Sequence, residues 1–209
     1  VSAYFAPEVV KNLESRGYKV YIGGVNRMSI FTQPMDACRL KYPTCDKRVR
    51  QALSLAVDKK SMADNIWLGY AQALSQPGFP QQVGYNFDIP VRYDPKKAEQ
   101  MLDEAGFPRG KDGYRFTLRF INWITGTPET MALAQVDMWG KIGVKVDYAK
   151  IDLSVMLDVI QRRGTHEWPP LTQLEISSFD PENDPFTRYC KDPTAKQCSF
   201  PYDNPELYT

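Results

Sequence analysis

Apolar side chains between residues 46 and 60 recur with the spacing of one face of a helix. They follow the order i, i+3, i+4, i+7 and i+8, and they are Val49, Ala52, Leu53, Ala56 and Val57. Arg48, Arg50, Gln51 and Lys59 lie off this stripe, so the pattern predicts an amphipathic helix with one buried face. Such a stripe occurs in many folds and by itself predicts no function.

Proline and glycine mark the ends of the helices predicted farther along the chain. Asp94 and Pro95 form an N-cap and first-turn pair, and Gly106 follows the last turn of that helix. Thr127–Pro128 and Gly143 predict the two ends of a second helix in the same way. Further helices are predicted over residues 7–16, from Asp58 to Gly69 and over residues 152–163.

Alternating apolar and polar residues predict the strands, which are residues 18–22, 27–31, 115–121, 144–148 and 171–176. Helices separate the strands in the second half of the chain. Because parallel neighbours need a long crossover connection, this order predicts an α/β fold with a largely parallel central sheet flanked by helices. Residues 71–92 are rich in proline, glycine and glutamine and predict an irregular surface excursion.

Composition excludes several classes of protein. The chain has 209 residues, 43% of them hydrophobic, which is enough for a packed core. Its 26 basic and 25 acidic side chains give a net charge of +1, so no nucleic-acid partner is expected. No run of about 18 apolar residues predicts a membrane span, and the N-terminus does not resemble a signal peptide.

Four cysteines form two local pairs in loop-like sequence. Cys38 with Cys45, and Cys190 with Cys198, predict disulfide-tied loops over residues 34–45 and 189–201 and an oxidising compartment. A zinc site is the alternative, although zinc-binding cysteines usually lie two to four residues apart and His166 is the only histidine. We expect no metal and no cofactor.

Four stretches share the wording of one large family. Residues 46–59 read D-x-R-V-R-x-A-L-x-x-A-V-D-K, and residues 93–108 contain Y-D-P-K-K-A followed by E-A-G-F-P. Residues 179–181 read F-D-P, and residues 202–206 read Y-D-N-P-E. Together they resemble the family 5 extracellular solute-binding proteins, the receptors of peptide- and nickel-type ABC importers.

The resemblance implies a domain organisation and a set of partners. The whole chain, residues 1–209, is expected to form one α/β lobe, the second lobe of a two-lobe type II periplasmic binding protein, excised from a longer receptor. Its partners are then the missing first lobe, an ABC importer permease and a small solute or peptide. The implied location is the periplasm or the extracellular space, with or without a membrane anchor in a missing N-terminal segment.

The resemblance also implies where the ligand binds. Aligned at residues 179–181, Glu175 and Ser178 replace the Trp and the amine-binding Asp of the family's peptide receptors. The family as a whole predicts a peptide as the ligand. These two replacements make an oligosaccharide, an opine or another non-peptide solute the alternative ligand. The implied contacts are Glu175, Ser177, Ser178, Phe179 and Asp180, with Trp123 and Trp168 as stacking planes.

Each of these residues also has a purely structural interpretation. Glu175 can be solvated, Ser177 and Ser178 can bond within a turn, Asp180 can cap the turn at Pro181, and the tryptophans can pack beneath loops. A non-binding extracellular structural module is accordingly an alternative of another class. Catalysis is not expected, because the sequence has neither a nucleophile elbow nor a phosphate-binding loop.

Overall fold

The computed structural model describes residues 6–21, 28–32, 41–76, 80, 85–156, 171–176, 189–190 and 200–201. Of residues 28–32, 171–176, 189–190 and 200–201, it describes the backbone alone.

The described chain contains five α-helices, one 3₁₀ turn and six short strands. The helices are α1 (Pro7–Ser15), α2 (Lys47–Leu55), α3 (Lys59–Asn65), α4 (Pro95–Glu104) and α5 (Thr127–Lys141), with a 3₁₀ turn at Pro43–Cys45 before α2. The strands are β1 (Met28–Thr32), β2 (Phe116–Asn122), β3 (Val144–Lys150), β4 (Leu171–Ile176), β5 (Tyr189–Cys190) and β6 (Phe200–Pro201). One helical turn is described over residues 153–156, and residues 157–163 of the predicted helix lie outside the description.

Four of the described strands form one sheet in the order β1-β4-β2-β3. β2 is parallel to β3 and to β4, whereas β1 is antiparallel to β4 at the outer edge. Helix α5 connects β2 to β3, as a parallel pair requires. The predicted α/β fold with a largely parallel sheet is confirmed.

The core lies between one face of this sheet and helices α2 to α5. Leu118 and Phe120 of β2 are fully buried there. The predicted stripe of α2 supplies Val49 and Ala52, both fully buried, and the indole N–H of Trp139 on α5 donates to the Leu53 carbonyl over 3.0 Å. The apolar pattern of the sequence thus identified the packed face correctly.

Aspartate side chains cap three of the helices. Asp58 accepts a hydrogen bond from the Ser61 amide over 2.9 Å and Asp94 accepts one from the Lys97 amide over 2.8 Å, so both predicted caps are confirmed. Asp46 caps α2, and hydrogen bonds from Arg48 lower the pKa of its carboxyl group. α2 ends at Leu55, before Ala56 and Val57 of the predicted stripe, and α3 begins at Lys59 after its predicted cap.

Two local predictions are wrong. Residues 18–21 are not a strand: Tyr18 is 64% exposed, Tyr21 is 86% exposed, and no described strand pairs with them. Alternation alone does not make a strand when the backbone has no partner. The N-cap of α5 is Gly126, and Thr127 is already the first residue of the helix. Gly126 has φ of +76°, a backbone conformation that favours glycine.

Cys45 forms a disulfide in this structure. Cys38 and Cys198 lie outside the described residues, and Cys190 is described by its backbone alone. The two predicted pairings therefore remain predictions. Among the described helices, none has both the length and the apolar character that a bilayer span requires.

Two arginines join the amino end of β2 to helices α4 and α5. Arg115, whose side chain is 2% exposed, pairs with Glu99 and Asp103 of α4 and donates to the Ile142 carbonyl over 2.9 Å. Arg109 pairs with Glu99 over 3.0 Å and donates to the Lys141 carbonyl over 2.7 Å. We call Glu99, Asp103, Arg109 and Arg115 the arginine cluster.

Replacing Arg115 with methionine tests the arginine cluster. The variant Arg115→Met keeps the aliphatic stem but leaves the Asp103 carboxylate and two backbone carbonyls without this donor, and it leaves Glu99 paired with Arg109 alone. We expect its free energy of unfolding in urea to fall by about 3 kcal/mol. The control Lys60→Met removes an exposed pair with Asp64 and should leave the free energy of unfolding unchanged. An equal loss in both variants would contradict the structural role of the cluster.

Candidate functional site

The carboxyl ends of the parallel strands form the candidate site. β2 and β3 end level with each other, since Asn122 lies opposite Lys150. β4 begins only at this level, because Leu171 and Thr172 lie opposite Phe120 and Ile121. In open α/β sheets, ligands bind outside the carboxyl ends of such strands. We call this region the carboxyl edge.

β4 projects beyond the carboxyl edge. Residues 173–176 of β4 pair with β1 and have no pairing with β2. Glu175 lies three residues beyond Thr172, which at strand spacing is about 10 Å. The ladder of β1 and β4 therefore extends past the carboxyl edge, and the loop after β2 begins at the same edge.

Asn122 shapes the loop that follows β2. Its side chain is fully buried, and its amide donates to the Tyr148 hydroxyl over 3.1 Å and to the Ile124 carbonyl over 3.3 Å. Its side-chain oxygen accepts from the Ile124 amide over 3.1 Å. The backbone carbonyl of Asn122 accepts from Ile151, after β3, over 2.9 Å. The loop is thus fixed to both strands and sets the position of Trp123.

Trp123 lies on this loop with an unusual hydrogen-bonding state. Its side chain is partly exposed, yet its indole N–H is buried and meets no acceptor among the described residues. A buried donor without an acceptor costs free energy, so such groups in native proteins need an explanation. Trp123 was one of the two stacking tryptophans predicted from the sequence, and the structure places it at the carboxyl edge.

One ion pair lies across the carboxyl edge. Lys150, at the end of β3, reaches both carboxylate oxygens of Glu129 at 2.7 Å each. Glu129 is in the first turn of α5, where a carboxylate interacts favourably with the helix dipole. Lys150 and Glu129 carry opposite charges, so this ion pair adds no net charge to the carboxyl edge.

The structure describes only part of the predicted site. It places Trp123 at the carboxyl edge and the backbone of Glu175 on the projecting part of β4. Trp168, Ser177, Ser178, Phe179 and Asp180 lie outside the described residues, so their predicted contacts are not tested. No cluster of three His, Cys, Asp or Glu side chains suited to a metal ion occurs within the described part of the chain.

Sequence reasoning missed Asn122, Glu129 and Lys150. Asn122 could have been found, because it is a polar residue at the end of an apolar strand, directly before a turn. The pair of Glu129 and Lys150 has no local signal, since the two residues are 21 positions apart and meet only through the crossover of α5.

Solved structures define the class of this lobe. The structure of a periplasmic oligopeptide-binding protein from Borrelia burgdorferi matches with a TM-score of 0.74 at 21% identity, covering 97% of this chain and 39% of that chain. At this identity the likeness shows the fold alone. The chain has the fold of a periplasmic-binding-protein lobe, with a largely parallel sheet and flanking helices.

Sequence comparisons identify the family. The family model described as "Bacterial extracellular solute-binding proteins, family 5 Middle" matches residues 1–196. The chain belongs to this family, which confirms the predicted resemblance.

Two curated relatives show the range of the family. Heme-binding protein A of Haemophilus influenzae is 37% identical over 108 residues, which is 51% of this chain and 20% of that protein. Di/tripeptide-binding protein 1 of Pseudomonas aeruginosa is 30% identical over 162 residues, which is 74% of this chain and 30% of that protein. The chain thus spans less than a third of the length of either relative. Both are named as binding proteins and neither as an enzyme.

Replacing Asn122 with alanine tests how the site is built. Asn122→Ala removes three side-chain hydrogen bonds and leaves the buried Ile124 amide without its acceptor. We expect the free energy of unfolding to fall by about 2 kcal/mol, measured by urea denaturation. The matched control Asn12→Ala, on the exposed face of α1, should change it by less than about 0.5 kcal/mol. A stable Asn122→Ala variant would show that the loop does not depend on this side chain.

Proposed function

We propose that this chain is one lobe of the substrate-binding component of an ABC importer, and that it closes over a solute held at the carboxyl edge. Family membership supports a receptor that binds without chemistry. In such a receptor the ligand stabilises the closed form by its higher affinity for that form. The chain spans only part of its relatives' length, so the proposal includes a second lobe that supplies the rest of the receptor. It also includes an ABC importer permease as partner.

The hydrogen-bonding state of the Trp123 indole N–H is the main observation that supports a binding site at the carboxyl edge. The donor meets no acceptor among the residues that the structure describes, and the ring is partly exposed at the carboxyl edge. A small rotation of the ring would present the N–H to an acceptor on a ligand, such as a carbonyl or hydroxyl oxygen. The aromatic face can contact apolar parts of the same ligand.

A peptide is the ligand class that we favour. A peptide carries backbone carbonyls that can accept from Trp123, and its charged termini suit an edge that holds both Lys150 and Glu129. The relative from Pseudomonas aeruginosa, named as a di/tripeptide-binding protein, supports the same class. The proposed contacts outside the described side chains are Trp168, Glu175, Ser177, Ser178, Phe179 and Asp180.

A non-peptide solute, such as an oligosaccharide or an opine, is the second candidate. Ser178 replaces the Asp that binds a peptide's amine in the resembling receptors, and Glu175 replaces their Trp; an aromatic plane with an adjacent donor suits such a solute. The proposed location is the periplasm or the extracellular space, with or without a membrane anchor, in keeping with the extracellular family.

A ligand screen with Trp variants tests the proposal. The complete receptor is mixed with dipeptides to hexapeptides, oligosaccharides, opines and nickel chelates, and its thermal midpoint is measured. We expect peptides to raise the midpoint by mass action. Trp123→Phe keeps an aromatic ring but removes the N–H. We expect this variant to raise the dissociation constant for the peptide about tenfold, as expected for one lost hydrogen bond.

Trp67→Phe is the matched control, because the Trp67 indole N–H already donates to the Met131 sulfur within the protein. Its dissociation constant should equal that of the wild type. A shift with sugars alone would replace the peptide assignment, and no shift with any compound would favour a structural module. Equal losses of affinity in both Trp variants would contradict the role of Trp123.

A further inference from the structure

Two methionines on α5 accept hydrogen bonds from the two ends of α3. The Met138 sulfur accepts from the backbone N–H of Asp58, the N-cap of α3, over 3.3 Å. The Met131 sulfur accepts from the indole N–H of Trp67, just beyond the last turn of α3, over 2.7 Å. Seven residues separate the two methionines, so both lie on one face of α5. We call these two contacts the thioether clamps.

Both sulfur-bearing side chains are within reach of small oxidants. Met131 and Met138 are partly exposed at the rim of the core, whereas Met62 is 4% exposed and Met156 is 1% exposed. Methionine oxidation follows exposure. The family is extracellular, so its members work outside the reducing cytosol.

We propose that Met131 and Met138 are oxidative modification sites at which a peroxide releases α3 from α5. In each reaction the sulfur lone pair attacks one peroxide oxygen, the S–O bond forms and the O–O bond breaks. Sulfur loses two electrons and becomes a sulfoxide. The departing hydroxide takes the proton of the attacked oxygen and leaves as water.

The geometry explains why oxidation opens the clamps. The new oxygen occupies a sulfur lone pair in a space where the Trp67 nitrogen already lies 2.7 Å from the sulfur. An oxygen added to the lone pair that accepts the indole N–H does not fit between these atoms, so oxidation there displaces the indole ring. A sulfoxide is also polar, and both methionines pack against the apolar core. Release of α3 then exposes Met62, which α3 contributes to that core.

Treatment of the protein with hydrogen peroxide tests this inference. Peptide mass spectrometry should find sulfoxide at Met131 and Met138 before Met62 and Met156. The thermal midpoint should fall by about 4 °C, and amide hydrogen exchange should accelerate over residues 58–67 while α4 keeps its protection. A methionine sulfoxide reductase should restore the midpoint, because this oxidation is reversible.

Leucine variants identify the responsible sulfurs. The double variant Met131→Leu with Met138→Leu should keep its own midpoint after peroxide. Met101→Leu is the matched control, since Met101 is partly exposed on α4, packs against the same core, and its sulfur accepts no hydrogen bond from the described residues. It should lose stability as the wild type does.

Two results would overturn the inference: protection by Met101→Leu, or unchanged exchange over residues 58–67 when Met131 and Met138 are fully oxidised. The exchange measurement uses the wild type, so it decides the question even where the double variant does not fold.

Discussion

The buried guanidinium of Arg115 is the interaction on which the architecture depends. Arg115 lies directly before β2, and its guanidinium donates hydrogen bonds to α4, to the turn after α4 and to the end of α5. Arg109 makes a second set of contacts to the same helices. Its guanidinium lies so close to Gly143 that a Cβ at residue 143 would be 2.8 Å from a guanidinium nitrogen of Arg109. The planar guanidinium suits this role, because its five donors can serve several acceptors at fixed angles.

The arginine cluster and the candidate site lie at opposite ends of the same strands. Fixing α4 and α5 at the amino end of β2 sets the angle at which α5 leaves the loop at the carboxyl edge. Asn122 and Lys150 then fix that loop and the first turn of α5. Two strands fix the position of Trp123, while its N–H has no acceptor within the described part of the chain. Binding sites are commonly built in this way, as loops on a rigid scaffold.

Local patterns predicted the helices and most strands, but not the contacts between them. The stripe of α2 and the caps Asp58 and Asp94 are encoded within a few residues and were found correctly. The arginine cluster joins residues up to 32 positions apart, so periodicity contains no sign of it. Residues 18–21 alternate like a strand, yet pairing depends on distant chain. Trp123 was predicted from its place after a strand, whereas the unpartnered state of its N–H follows only from three-dimensional packing.

Hydrogen exchange of the complete receptor, with and without a saturating pool of dipeptides to hexapeptides, tests the central claim most directly. If solute binds at the carboxyl edge, exchange should slow over residues 122–129 and 172–180, while α1 and α4 keep their rates. Slowed exchange at α1 or α4 alone, with residues 122–129 unchanged, would contradict the placement of the site and the role assigned to Trp123.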